Sequence, residues 1–199
     1  CVNTKTSKSF PEGLTLMEML PSFIEGLQTP YPIIAAKVNN VVQGLKYRAF
    51  NSRSVEFLDY TSYNGRSVYC NSLCFLLCKA AKDVFPECKV VIRRPISKGY
   101  YCTVDKGDGN PLSAHDLDMI TSRMKAIVEA DIPFRRHEVL VEQAIEMFRG
   151  LGYQDKVRLL ETSGDIYVNY YTLENTPDYY YEALLPSTGY LEVWSLTMY

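Results

Sequence analysis

The sequence predicts an α+β protein, on three observations. Short strand-like runs are interleaved with segments of helical period. The first 65 residues alone hold a strand, a helix and several further short strands. Turn signals at Pro11 to Gly13, Asn39-Asn40 and Asn64-Gly65 separate the runs of the first 65 residues. With 199 residues, 47% hydrophobic and 22% charged, the chain has ordinary globular composition, enough for one domain with a sizeable core or two small ones.

Taken in order, residues 2 to 9 form a polar, β-branched run that reads as a strand, closed by the turn at Pro11 to Gly13. "LTLMEMLPSFIEGL" then places Leu16, Met19, Leu20, Phe23, Ile24 and Leu27 at helical spacing, with Pro21 interrupting the helix. "YPIIAAKVNNVVQGLKY" carries two strand-like runs around Asn39-Asn40, a hairpin signal. "SVEFLDYTSYNGRSVY" repeats the pattern, with Asn64-Gly65 as the stronger turn. These segments make a small α+β unit of residues 1 to 65, and residues 66 to 199 make the second.

The second unit opens on "YCNSLCFLLCKAAKDVFPEC", where Cys70, Cys74 and Cys78 recur every four residues on one side of a helix, completed by Leu73, Leu77 and Ala81. Pro86 stops that helix. "KVVIRRPISKGYYCTVD" supplies two strands that bend near Pro95 to Gly99. Ser113 and Asp116 form a capping box for a helix to about Ala130, whose apolar side is Leu117, Ile120, Met124, Ile127 and Val128. "FRRHEVLV" reads as a strand, Glu142 to Arg149 as a short helix, and the remainder as strand-rich, with eight of the 16 tyrosines beyond Gly164.

Charge and composition bound the function. With 21 basic and 23 acidic residues the net charge is −2, so nucleic-acid or membrane binding requires a local patch, not bulk attraction. Arg93, Arg94 and Lys98 supply one if their strand pairs with that of Arg135, Arg136 and His137. No apolar run approaches the roughly 18 residues of a membrane span, and no leader is present, so a cytoplasmic location and no membrane partner are expected. Six cysteines without a leader read as buried, reduced thiols. Three thiols spread over two helical turns do not converge on a zinc ion, so no metal is expected. Two histidines, His115 and His137, in no recognisable setting argue against a catalytic triad. The start at Cys1 and the strand-like close "YLEVWSLTMY" lead us to expect a piece of a longer protein.

Two segments carry a family resemblance. "GRSVYCNSLCFLLCKAAKDVFPECKVVIRRPISKGYYCTVD" and "LSAHDLDMITSRMKAIVEADIPFRRHEVLVEQAIEMFRGLGYQDKVRLLE" resemble the editing domain of threonyl-tRNA synthetase. The residues before them resemble its TGS neighbour, a β-grasp module. The resemblance implies a β-grasp domain at 1 to 65 followed by an editing-like domain at 66 to 199. That family clears seryl-tRNA with an HxxxH and a CxxxH motif. Counting back from Phe85-Pro86, the HxxxH positions fall on Asn71 and Phe75, and the CxxxH positions on Ala183 and Ser187. The resemblance therefore implies an emptied catalytic cleft lined by these four residues, with no catalytic residue among them.

The same pairing of TGS with a histidine-less editing-like domain is similar to the N-terminal half of a bacterial uridine kinase-like protein. "SVEFLDYTSYNGRSVYCNSLCFLLCKA" and "SKGYYC" carry that likeness. It implies a regulatory or ligand-binding module whose partner is a downstream kinase domain, with ATP and Mg bound there and a nucleotide or tRNA as a possible ligand here. No G-x-x-x-x-G-K-[ST] occurs in this chain, so no cofactor is expected within it. The alternatives are a seryl-tRNA deacylase or a tRNA-docking module.

Overall fold

The computed structural model describes residues 1 to 96 and 99 to 199. Among the described residues the chain is α+β, with three small antiparallel sheets. It forms two compact units, one of residues 1 to 133 with 182 to 199 and the other of residues 134 to 181. The division expected after residue 65 falls inside a helix, so it does not separate these units.

In the larger unit, Thr15 and Glu18 form a reciprocal capping box that starts α1 (Leu16–Met19). Pro21 then converts the remainder of the expected helix into two 3-10 turns, Leu20–Ser22 and Ile24–Gly26. β1 (Ala35–Val38) and β2 (Val41–Gly44) form the predicted hairpin, with Asn39 and Asn40 at φ +47° and +67°. Both turn residues are left-handed, as a two-residue turn that follows strand twist requires. β3 (Val55–Leu58) pairs with the other side of β1. Leu16, Phe23, Ile33, Ala36, Val38, Leu45 and Phe57 are the core beneath this sheet. Residues 2 to 9 do not form the expected strand. Instead Val2 N–H donates to Val55 O, and the Asn3 side-chain amide satisfies both backbone groups of Phe57, covering the β3 edge without a strand.

The stretch Asn64-Gly65 is the first turn of a helix, not a hairpin turn. α2 runs over Tyr63–Val84, with the Ser62 hydroxyl accepting from Gly65 N–H at 3.0 Å. Glycine is needed at 65 for a different reason than turn geometry: a Cβ there would lie 1.9 Å from the Asp59 carbonyl oxygen. Pro86 follows the last turn as expected. β4 (Lys89–Ile96) and β5 (Gly99–Asp105) pair with a register irregularity between Ile92 and Arg94. α3 (Ala114–Glu129) starts at the predicted Ser113/Asp116 box and lies against α2, burying Ile120, Met124 and Ile127. Lys79, almost wholly buried, pairs with Asp83 at 2.5 Å, and Asp83 also takes Arg123 of α3 at 2.8 Å.

In the smaller unit β6 (Phe134–Leu140), β7 (Tyr167–Leu173) and β8 (Thr176–Asp178) form one sheet. α4 (Val141–Gly150) and α5 (Gln154–Glu161) pack on it through Ala144, Phe148, Val157, Leu160 and Val168. α5 is a correction to the strand-rich reading of this region; Val157 and Leu160 lie on one helical side and enter the core. The run "YLEVWSLTMY" is another correction: it holds the end of a 3-10 turn, Thr188–Tyr190, and no strand.

Candidate functional site

α2 organises the region to which the resemblance assigned chemistry. Its most buried line is Gly65, Val68, Ser72, Phe75, Leu76 and Lys79, which turns Phe75 fully into the core. The cysteines sit beside this line. Cys70, Cys74 and Cys78 are half-buried, not mostly buried as expected, because Phe75 and Leu76 occupy the centre of the packed face. Cys88 is the buried thiol, and all six cysteines are free. Burial pushes the Cys74 thiol up to about 12, with Cys102 and Cys70 adding to the effect. Burial also raises Cys70, Cys88 and Cys102. These are poor thiolates near neutral pH. Among the described residues no group of three or more His, Cys, Asp or Glu side chains is arranged to hold a metal ion.

A strap formed by residues 182 to 193 crosses α2. The Ser67 hydroxyl donates to Glu182 Oε2 at 2.5 Å, and Asn71 Nδ2 donates to the same oxygen at 3.2 Å. One turn further along, Leu185 N–H donates to Ser72 Oγ at 2.9 Å, while that hydroxyl donates to Val68 O at 2.8 Å. Thr188 Oγ1 donates to Ile127 O at 2.7 Å and accepts from Ile132 N–H at 2.8 Å, anchoring the strap at the end of α3. Tyr69 exchanges bonds with both backbone groups of Val193. Leu184, Leu185 and Leu191 are buried, which makes the strap part of the core and not a mobile cover.

The four resemblance positions therefore have different fates. Asn71 is half-buried and bound to Glu182. Phe75 has no exposed surface. Ala183 is buried beside β2, where a Cβ on Gly44 would come within 3.9 Å of its own. Ser187 lies farther on, in a bridge with Pro133. The sequence reading missed Glu182, Ser67 and Ser72. Ser67 and Asn71 lie four residues apart on one side of α2, the one local signal that both face the same group.

The basic patch does not form by strand pairing. β4 pairs with β5, and β6 pairs with β7. Arg93 and Arg94 are exposed on β4, with Arg93 Nε donating to Thr103 Oγ1 at 3.3 Å. Arg135 and Arg136 belong to the other unit, where Arg136 Nε donates to Asn169 at 3.0 Å. Lys98 lies outside the described residues. His137 stacks on Tyr170 at 4.9 Å and bonds Thr172 at 2.9 Å, and His115 is exposed. Two open cavities, of about 380 and 680 Å³, lie among the first 62 residues and not at the four resemblance positions. Among the described residues no helix is long and apolar enough to cross a membrane.

By fold and site the chain is a small α+β protein whose central helix is crossed by its own C-terminal segment. No family model matches it. It is similar to threonine–tRNA ligases. It is 30% identical to that of Desulforamulus reducens over 186 residues, 93% of this chain and 29% of the relative. It is also 30% identical to that of Symbiobacterium thermophilum over 190 residues, 95% of this chain and 29% of the relative. The ligase of Geobacter sp. strain M21 is 28% identical over 192 residues. The chain spans less than a third of the length of these relatives. This similarity bears out the resemblance to the synthetase and gives no support to the kinase-linked parent.

Proposed function

We propose that the chain is a non-catalytic tRNA-docking module related to threonine–tRNA ligase. The observation that carries the reading is the combination of similarity over 93% of the chain with the side chains at the resemblance positions. Asn71 is tied to Glu182, Phe75 is sealed in the core, and Ala183 and Ser187 carry no base that works near neutral pH. Attraction to tRNA phosphates is supplied locally by the exposed Arg93 and Arg94 on β4, since a net charge of −2 supplies none globally. The test is fluorescence anisotropy of a labelled tRNA titrated with the chain at low salt. Saturable binding that weakens with salt, and weakens several-fold in Arg93→Glu/Arg94→Glu, is the expected result. No saturable binding at low salt overturns the proposal.

A further inference from the structure

The cavity of about 380 Å³ opens in the larger unit, between residues 7 to 12 on one side and residues 49 to 53, the loop before β3, on the other. Its inner wall is apolar: Leu16 and Met19 of α1 with Phe23 and Phe57, all buried. Phe10, Phe23 and Phe57 form a row, with ring centroids 5.8 and 5.9 Å apart. Phe50 stands at the mouth, 56% exposed, its ring lying against Gly13, where a Cβ would come within 3.3 Å of Cε1. The rim is polar, and its groups are not engaged with one another. Among the described residues Ser9, Asn51, Ser52 and Arg53 make no side-chain hydrogen bond, and no carboxylate pairs with Lys8 or Arg53. Lys8 Nζ donates to Ser22 O and lies 5.4 Å from the Phe23 ring centroid, which fixes its charge over the apolar wall without neutralising it. Glu12 is the one carboxylate in the lining, so two cations face one anion. The Cys1 amino group is turned to Thr6 O at 2.6 Å and is left out of that balance. In the cavity of about 680 Å³, by contrast, Thr4 bonds Thr6, and Asp59 takes the hydroxyls of Thr29 and Thr61, so its polar groups are already committed.

We propose that this cleft binds a small alkyl carboxylate, its tail against Met19, Phe10, Phe23 and Phe50 and its carboxylate at Arg53 and Lys8. The volume falls in the range of small-molecule clefts, about 300–1,000 Å³. A free guanidinium complements a carboxylate through charge-assisted hydrogen bonds, and an alkyl tail gains by leaving water for an apolar wall. An inorganic anion would leave that wall solvated, and an amphiphile with an ammonium head would set like charge beside Lys8 and Arg53. Arg93 and Arg94 do not line the cleft, and the inference stands whether or not the chain docks tRNA.

The probe is octanoate, titrated into the full 199-residue chain with backbone amide NMR as the readout, against octylamine as the same tail with a cationic head and acetate as the same head without the tail. Octanoate is expected to shift the amides of residues 8 to 13 and 49 to 55 saturably below roughly 20 mM, with octylamine about tenfold weaker and acetate silent in that range. Arg53→Glu, at an exposed position, is expected to lower octanoate affinity about tenfold, and Glu12→Gln to leave it equal or higher, with the amide spectrum outside the cleft unchanged in both. Absence of saturable shifts, shifts confined to other residues, octylamine binding as tightly as octanoate, unchanged affinity in Arg53→Glu, or lowered affinity in Glu12→Gln overturns the proposal. Should Arg53→Glu not fold, unchanged affinity in Phe50→Ala, also at an exposed position, overturns it.

Discussion

Phe75 and Cys74 are neighbours in sequence with opposite situations. Phe75 has no exposed surface, so Phe75→Ala removes a whole aromatic side chain from a packed site and should cost about 3–5 kcal/mol, measured as a shift in urea midpoint at unchanged slope. A loss below about 1 kcal/mol would mean that the position is solvated. Cys74 is half-buried, with its thiol pushed up to about 12. Its thiolate fraction at pH 8 is therefore small, and alkylation by iodoacetamide should be far slower than for the same residue in urea-unfolded chain. Equal rates in the two states would contradict the burial that raises it. The resemblance to the synthetase singled out Asn71 and Phe75, by counting its HxxxH positions back from Phe85-Pro86. Glu182 could not be read the same way, since its partners Ser67 and Asn71 are more than a hundred residues away and only folding brings them within 3.2 Å.

At the level of elements, local chemistry decided which expectations held. The Asn39-Asn40 hairpin and the Ser113/Asp116 capping box depend on residues within four positions of one another, and both are present. Asn64-Gly65 has equally good local turn chemistry, yet the Ser62 cap and the close approach to Asp59 O recruit it into α2. Gly65→Ala should therefore cost roughly 1–3 kcal/mol, because a methyl group cannot share space with that carbonyl. A neutral result would place the α2 start elsewhere. At α3 the Asp116 carboxylate is held at about 2 by the Ser113 N–H and hydroxyl and by Lys106. Its folded value lies below the unfolded value near 3.9, so the stability it contributes is fully present above that pH. That contribution is lost as pH falls toward about 2. Asp116→Asn should lower the urea midpoint at neutral pH, and the gap between variant and parent should close across that window. A gap independent of pH would mean that the ion pair and cap are absent.

Across the whole molecule, the order of segments was readable as α+β because each strand and helix advertises itself locally, whereas the partition into compact units was not. The chain returns at Glu182 to the first unit after an excursion through residues 134 to 181, and nothing near residue 182 signals that return. The strap that results ties Asn71 to Glu182 over a helix whose Phe75 is sealed, and the proposed non-catalytic role rests on that packing. The most direct measurement of that account is hydrolysis of seryl-tRNA by the purified chain at catalytic concentration. The account predicts release of serine at the rate seen in buffer alone. Turnover above that rate, abolished by Asn71→Ala or Glu182→Gln, would contradict it and make the α2 face a working deacylase site.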